Sequence, residues 1–233
     1  MWVTQLHFDV EPQDVLTSQS VRHFGFVYTR GSLTVPFSPG SMADVQPTPR
    51  LVLVFSGKRK SGKDHVTNLL HARLGAPLSS ILRLSAPLKQ HFAQDHSLDL
   101  DLLLGPGPYK ERFRSEMIQW GEDQRRNDPG YFCRLATRGA TEPVWIISDA
   151  RRSTDLTWFR TQYPDKTRTI RVQCSDQIRT TRGWSFTEGV DDAESECGLD
   201  QVQDWDWIIK NEGDTEDLER QLRPVIDLAL KQD

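Results

Sequence analysis

The chain has 233 residues, a length that fits one domain with a small mobile part better than two full domains. A mean hydropathy of −0.57 and the lack of any long apolar run argue against a membrane span. The formal net charge of −4 gives no general attraction to nucleic acid or to anionic lipid, so any anion-binding site must be local. We therefore expect neither a nucleic-acid partner nor a membrane partner.

The first 48 residues differ from the rest of the chain. They show no sustained hydrophobic period, and prolines crowd the end of the stretch. They lack the apolar core of a secretory signal, and acidic residues with few arginines argue against a mitochondrial presequence. We predict a disordered N-terminal extension over residues 1–48 and one folded domain over residues 49–233. A targeting or partner-binding segment at the N-terminus is the alternative.

From Arg50 onward, strand patterns alternate with helix patterns. Apolar runs predict strands over residues 51–55, 79–84, 144–148, 169–174 and 207–209. Apolar residues at helical spacing predict helices over residues 63–74 and 109–126, one starting after Ser85, and a terminal helix around residues 218–226 that Pro224 would kink or restart. This order predicts an α/β fold, a three-layer α/β/α arrangement around a parallel central sheet.

A phosphate-binding loop joins the first predicted strand to the first predicted helix. The letters G-K-R-K-S-G-K match G-x-x-x-x-G-K in the strand-to-helix context that supports the motif. Glycines let backbone N–H groups converge on phosphate oxygens, and the helix N-terminus adds attraction. Lys63 is expected to follow the β- and γ-phosphates during transfer, with Arg59 as a second catalytic cation. The predicted ATP site comprises Gly57, Lys58, Arg59, Lys60, Ser61, Gly62, Lys63 and Asp64.

Two carboxylates are candidate magnesium ligands. Asp64 stands where the motif usually has Ser or Thr, and carboxylate oxygen also suits Mg²⁺. Asp149 ends an apolar strand, at the edge where open α/β sheets bind ligands. We predict a metal-binding role for both and a catalytic role for Asp149. An ordinary capping aspartate is the alternative at position 149.

Further cations are expected to bind the acceptor. Arg151, a predicted catalytic residue, and Arg152 directly follow the strand end, where they suit bidentate contacts to phosphate or carboxylate. Lys110 and Arg114 share one face of a predicted helix. Exposed positions with surface salt bridges are the alternative for each residue alone. Together they predict a helical acceptor-binding part that contains Lys110, Arg114, Arg125, Arg134, Arg151 and Arg152.

Residues 179–200 are predicted to form a mobile lid. The segment is rich in acidic residues, has little apolar periodicity and contains internal glycines. Arg179 or Arg182 would supply positive charge to the transition state, as an arginine finger does. A disordered acidic loop is the alternative.

Several short stretches match one family closely. They are residues 55–64, 109–110, 120–122, 128–130, 148–149, 151–152 and 189–200. On these stretches the chain resembles the animal phosphomevalonate kinases, over roughly residues 49–230. The basic loop that ends in Lys63-Asp64 and the acidic run at 189–200 are specific to that family.

The resemblance implies a nucleoside-monophosphate-kinase-like P-loop domain that uses ATP and Mg²⁺. It implies transfer of the γ-phosphoryl group to (R)-5-phosphomevalonate, which gives 5-diphosphomevalonate and ADP on the mevalonate route to isoprenoids and sterols. It also implies that Arg182 contacts ATP from the lid and that Asn211 lies near bound ligand. We expect a cytosolic monomer. The rival functions are another P-loop small-molecule or nucleoside monophosphate kinase, and a nucleotide-dependent switch without transfer activity.

Overall fold

A parallel sheet forms the centre of the domain that the structure describes. The computed structural model describes residues 48–105 and 107–231, so the predicted extension lies outside the described residues apart from Thr48. The strands are β1 Leu51–Ser56, β2 Ser79–Leu82, β3 Val144–Ile147, β4 Thr167–Gln173 and β5 Trp207–Lys210. Their spatial order is β2-β3-β1-β4-β5, and each neighbouring pair is parallel.

Helices connect these strands and follow the last of them. Those in the described residues are α1 Lys63–Leu74, α2 Ser85–Asp95, α3 Leu100–Leu104, α4 Pro108–Arg112, α5 Arg114–Asn127, α6 Tyr131–Thr137, α7 Ser153–Gln162, α8 Asp176–Thr181, α9 Glu194–Cys197 and α10 Thr215–Leu230. Helices α2, α3 and α5 share a small apolar cluster of their own around Phe92 and Met117. That cluster makes α2, α3 and α5 a distinct part beside the sheet.

The central strands of the sheet are buried on both faces. Leu53 and Phe55 of β1 belong to the apolar cluster that contains residues of α1 and α10. Val52 and Val54 face the opposite way and join Trp145 and residues of α6 and α7. A central parallel strand covered on both sides needs a continuous apolar sequence of this kind. The predicted three-layer α/β arrangement is therefore confirmed.

Two helix predictions differ from the structure. Residues 109–126 form parts of two helices, because Phe113 leaves the helical conformation with φ −99° and ψ 4° and packs against the cluster of α2, α3 and α5. Tertiary packing has overridden the helical period there. Helix α10 runs through Pro224 without a restart. Leu222 and Val225, on either side of the proline, are both fully buried and hold the helix on the sheet.

Candidate active site

The phosphate-binding loop lies between β1 and α1, and its two glycines are required by close packing. Gly62 has φ +83°, and a Cβ there would clash with the side-chain amide of Asn211. A Cβ on Gly57 would lie 2.8 Å from the carbonyl oxygen of Val172 on β4. The Asn211 amide donates to the carbonyl of Ser61 at 3.0 Å. The loop is therefore folded tightly against β4 and against the segment that follows β5.

The carboxyl ends of the strands bring dispersed residues to one edge of the sheet. Since all strands are parallel, the segments that leave β1, β2 and β3 emerge side by side. Arg83 leaves the sheet directly after β2, and Asp149 and Arg151 follow β3. The sequence prediction extended the second strand to Leu84. It therefore treated Arg83 as a strand residue and missed it as a site residue.

A cavity of about 390 Å³ opens beside the loop. Six of its eight cations are predicted from the sequence, whereas Arg83 and Lys89 are additional. An excess of cations of this kind suits a polyanionic ligand. The lining cations are Lys63, Arg83, Lys89, Lys110, Arg114, Arg125, Arg151 and Arg152, and the lining carboxylates are Asp64, Glu122, Asp149 and Glu196.

Two of the three lysines of this cavity, Lys89 and Lys110, lie in a strongly positive environment. Burial and the charge of Lys110 lower the pKa of Lys89. Burial and the charge of Arg114 lower the pKa of Lys110. Within the described ranges, Arg83, Lys89 and Lys110 make no hydrogen bond or ion pair through their side chains. An anion bound among them would relieve this repulsion.

The cations of the loop, in contrast, mostly have acidic partners. Burial alone would raise the pKa of Asp64, but the charge of Lys63 and its hydrogen bond to Asp64 hold that pKa below its usual value. Lys60 is the exception, with an exposed side chain that makes no ion pair inside the described part of the chain. The pairs lie 2.6–2.7 Å apart and are Lys58 with Asp200, Arg59 with Asp191, and Lys63 with Asp64.

Both predicted lid arginines contact the backbone of the loop. The guanidinium of Arg182 donates to the carbonyl of Ser61 at 3.0 Å and to the carbonyl of Asn211 at 2.9 Å. The buried Arg179 donates from Nε to the carbonyl of Arg59 at 3.0 Å. The segment around these two arginines therefore packs on the loop, and the lid stays a prediction.

Asp149 lines the cavity and also caps a helix. Its two carboxylate oxygens accept the backbone N–H groups of Leu84 at 2.7 Å and Ser85 at 3.1 Å, at the start of α2. The capping interpretation is therefore realised in the structure. The metal-binding and catalytic roles stay predictions.

Arg125 and Arg152 are held against the cavity wall. Arg152 donates from Nε to Glu122 at 3.0 Å, and its backbone N–H donates to the buried Asp155 at 3.0 Å. Arg125 lies over the ring of Phe132, 4.7 Å from its centroid, and 3.8 Å from Glu122. These contacts leave both guanidinium groups little freedom to reorient.

Two predicted substrate residues are not among the described residues that line the cavity. Arg134 forms an ion pair with Asp128 instead. Asn211 lies against the loop, where it contacts Ser61 and Arg182. Their assignment to the substrate site stays a prediction.

The parallel sheet, the glycine loop at its carboxyl edge and the cationic cavity beside that loop define a P-loop α/β protein of the kinase type. The phosphomevalonate kinase family profile matches residues 55–165. A phosphomevalonate kinase of Drosophila melanogaster is 43% identical over 185 residues, which cover 77% of this chain and 94% of the fly protein. The chain therefore belongs to the phosphomevalonate kinase family. Membership of a kinase family implies the use of ATP.

Two solved structures with a similar course of the chain have low sequence identity to it. One is a protein from Thermus thermophilus, 19% identical with a TM-score of 0.47, where the match covers 79% of this chain and all of that one. Another is a gluconokinase from Sinorhizobium meliloti 1021, 13% identical with a TM-score of 0.45, where it covers 78% and 95% respectively. At these scores the likeness adds nothing to what the sheet itself shows.

Proposed function

We propose that the chain transfers the γ-phosphoryl group of ATP to (R)-5-phosphomevalonate, giving 5-diphosphomevalonate and ADP, on the mevalonate route to isoprenoids and sterols. The observation that carries this proposal is that the phosphate-binding loop opens directly into the cationic cavity, since Lys63 and Asp64 belong to both. Two polyanions can meet only where positive charge offsets their repulsion. Eight cations against four carboxylates supply that charge, and family membership supports the acceptor.

The acceptor needs no strong general base. A phosphate monoester has a second pKa of about 6, so the attacking oxygen is already ionised near neutral pH. The residues that line the cavity include no histidine among those described. We therefore propose direct in-line transfer without a covalent enzyme intermediate. In this mechanism the loop N–H groups and Lys63 hold the β- and γ-phosphates, and Arg151 neutralises charge between donor and acceptor.

Magnesium fits the site through few protein ligands. Mg²⁺ usually keeps several waters and is held by one or two carboxylates together with substrate phosphates. No group of three or more potential ligands is assembled in the described ranges. We propose Asp64 as the stronger candidate ligand, because only one of its oxygens is engaged, whereas both oxygens of Asp149 cap α2. When bound, the ion would neutralise phosphate charge.

We propose that Arg182 contacts the nucleotide from the lid. Its guanidinium lies against the carbonyls of Ser61 and Asn211, next to the loop that is proposed to bind ATP. The segment at 179–200 is then a lid whose closure would exclude water from the transfer step.

We propose a cellular compartment for the protein on two grounds. In the part of the chain that the structure describes, no helix has the length and apolar character needed for a membrane crossing. Cys133, Cys174 and Cys197 are all free thiols, which favours a reducing compartment such as the cytosol. A monomer remains our prediction.

A coupled assay of ADP release with Mg-ATP tests the function. Turnover with (R)-5-phosphomevalonate should exceed turnover with AMP, CMP, GMP or UMP by about two orders of magnitude or more. Comparable rates with any of the nucleoside monophosphates would assign the chain to that rival class. Binding of ATP without transfer to any acceptor would favour a nucleotide-dependent switch.

A further inference from the structure

The acidic residues of the lid fall into two groups. Three make close ion pairs with cations of the loop or of the strand ends, whereas three make neither a hydrogen bond nor an ion pair through their side chains in the described part of the chain. The paired residues are Asp191, Glu196 and Asp200. The unpaired ones are Glu188, Asp192 and Glu194. An unspecific charged surface would not divide in this way within one short segment.

Glu196 has the most selective contacts of the paired group. Its side chain is only 7% exposed, although it belongs to the four-residue helix α9. One carboxylate oxygen accepts the backbone N–H of Arg59 in the phosphate-binding loop at 2.8 Å. The other oxygen forms an ion pair with the guanidinium of Arg151. A single carboxylate therefore joins the loop, the lid and the segment that follows β3.

The contact to Arg151 uses only one edge of its guanidinium. The Nη1 group donates both to Glu196 and to the carbonyl of Ser195, the latter at 3.1 Å. Within the described residues, Nε and Nη2 of Arg151 make no hydrogen bond, and the residue lines the cavity. A guanidinium has five N–H donors in a fixed planar fork. Fixing one edge of that fork therefore sets the direction in which the remaining donors point.

We infer that Glu196 is a positioning residue for phosphoryl transfer: it holds Arg151 at the junction of the loop and the cavity, with its free donors directed at the phosphates. The inference rests on the proposed function, because that function gives Arg151 its role. Both carboxylate oxygens of Glu196 are already engaged by protein donors, although the residue lines the cavity. We expect it to act through Arg151, since the carbonyl oxygen of a glutamine at this position could still accept the loop N–H of Arg59.

Orientation of this kind contributes chiefly to turnover. A donor aimed in advance at the position of developing charge needs no reorganisation when the reaction occurs. Without the carboxylate, Arg151 could still attract anions into the cavity, but its direction would no longer be fixed. Substrate affinity would then be largely retained while the rate of transfer falls.

A double-substitution cycle tests the inference. The variants are Glu196→Gln, Arg151→Gln and the combination, with Glu194→Gln as a matched control in the same helix. We expect Glu196→Gln to lower kcat by about tenfold while KM for ATP changes by less than about twofold. Glu194→Gln should leave both parameters within about twofold of the wild type. In the Arg151→Gln background, adding Glu196→Gln should change kcat by no more than about twofold, because the residue it orients is already absent.

Each other outcome overturns the inference. Equal kcat values for the two glutamate variants would show that Glu196 does not act in transfer. Losses that multiply in the combined variant would show that it acts through something other than Arg151, including a general loss of lid structure. A higher kcat in Glu196→Gln would make the carboxylate an inhibitory counter-ion.

The cycle is run with whichever acceptor the wild type phosphorylates. A wrong acceptor would therefore refute the proposed function and leave this test intact. If the wild type transfers phosphate to no acceptor, both the proposed function and the inference about Glu196 are refuted.

Discussion

The cations of the phosphate-binding loop and those of the neighbouring cavity differ in how their charge is balanced. In the loop, Lys58 and Arg59 each lie within 2.7 Å of a lid carboxylate. In the cavity, Arg83, Lys89 and Lys110 have no ion-pair partner among the described residues. Both groups lie beside the place where we propose that phosphates bind, but these three cavity cations, unlike Lys58 and Arg59, are not neutralised before a ligand arrives.

This difference separates two tasks. Paired cations have fixed directions, because each guanidinium or ammonium group is held by a partner. Unpaired cations in a half-buried cavity repel one another, and a bound anion removes that cost. The paired cations therefore contribute geometry, whereas the unpaired cations of the cavity contribute affinity for the acceptor. The predictions below test this division, beginning with the residue common to both regions.

Lys63 belongs to the loop and also lines the cavity, so its loss should affect both tasks. We expect Lys63→Met to lower kcat by about two to three orders of magnitude, since it removes a charge that stabilises the transferring phosphoryl group. The thermal midpoint should stay close to that of the wild type, as methionine fills the same space. ADP release and thermal denaturation measure the two quantities.

A matched control for this change is Lys166→Met. Lys166 precedes β4, at the end of the strand opposite to the site, and its loss should leave turnover within about twofold of the wild type. Near-normal turnover in Lys63→Met would refute the role given to that lysine and would weaken the distinction between the two regions.

Lys89 tests the cavity alone. We expect Lys89→Met to raise KM for the acceptor by about tenfold or more while KM for ATP changes by less than about threefold, because an unpaired cation of the cavity contributes affinity and not geometry. Arg126→Met is the control, since Arg126 is exposed on α5 and pairs with Asp123. A similar rise in both KM values would show that the cavity and the loop do not divide the substrates between them.

The sequence predicted the loop well because a loop motif is local. Spacing alone placed Gly57, Gly62 and Lys63 between a strand and a helix. The parallel sheet was predictable for a similar reason, since continuous apolar runs such as residues 51–55 indicate strands that are covered on both faces. Neither inference needs knowledge of distant contacts.

The cavity was only partly predictable because its residues come from several distant elements. Arg151 was found by its position after an apolar strand. Arg83 has the same position after β2, but a boundary error of two residues concealed it. Lys89 lies on α2, and only the packing of that helix beside the loop brings it into the cavity. Arg134 has the right charge but turns to Asp128 instead.

The pairing of lid carboxylates could not be predicted either. The sequence shows an acidic run, and nothing in its spacing distinguishes Glu196 from Glu194. Only the contact of α9 with the loop and with Arg151 separates them.

The pH dependence of acceptor binding gives a finer test of the unpaired cations. The pKa values of Lys89 and Lys110 are lowered, so both lose their proton below the ordinary lysine value of 10.5. Anion binding needs the charged form, and affinity is therefore lost as pH rises through the lowered pKa. KM for the acceptor should begin to rise below pH 10.5 in the wild type. It should stay flatter in Lys89→Arg/Lys110→Arg, because guanidinium stays protonated. Parallel rises in both proteins would assign the titration to another group.

The smallest expected effect concerns Asp191, the lid carboxylate that pairs with Arg59 of the loop. Asp191 accepts hydrogen bonds from the Trp184 indole at 2.9 Å and the Thr187 backbone at 2.8 Å, besides its pair with Arg59. We expect Asp191→Asn to lower the free energy of unfolding by about 1 kcal/mol, because the amide adds a donor where donors already converge. Asp192→Asn, one residue along, should change it by less than about 0.5 kcal/mol, since Asp192 is exposed.

The pH dependence of this difference identifies its origin. Burial raises the pKa of Asp191. Hydrogen bonds from Trp184 and Thr187, together with the charge and hydrogen bond of Arg59, outweigh burial and hold that pKa below its ordinary 3.8. A carboxyl group with a lowered pKa stabilises the fold above its unfolded pKa and loses that contribution as pH falls through the folded one. The gap between wild type and Asp191→Asn in urea denaturation should therefore be full near neutral pH and shrink below pH 3.8. A gap that persists unchanged in acid would mean that the shape of the Asp191 side chain, and not its charge, ties the lid to the loop. The ion pair with Arg59 would then not explain how the loop cations are held.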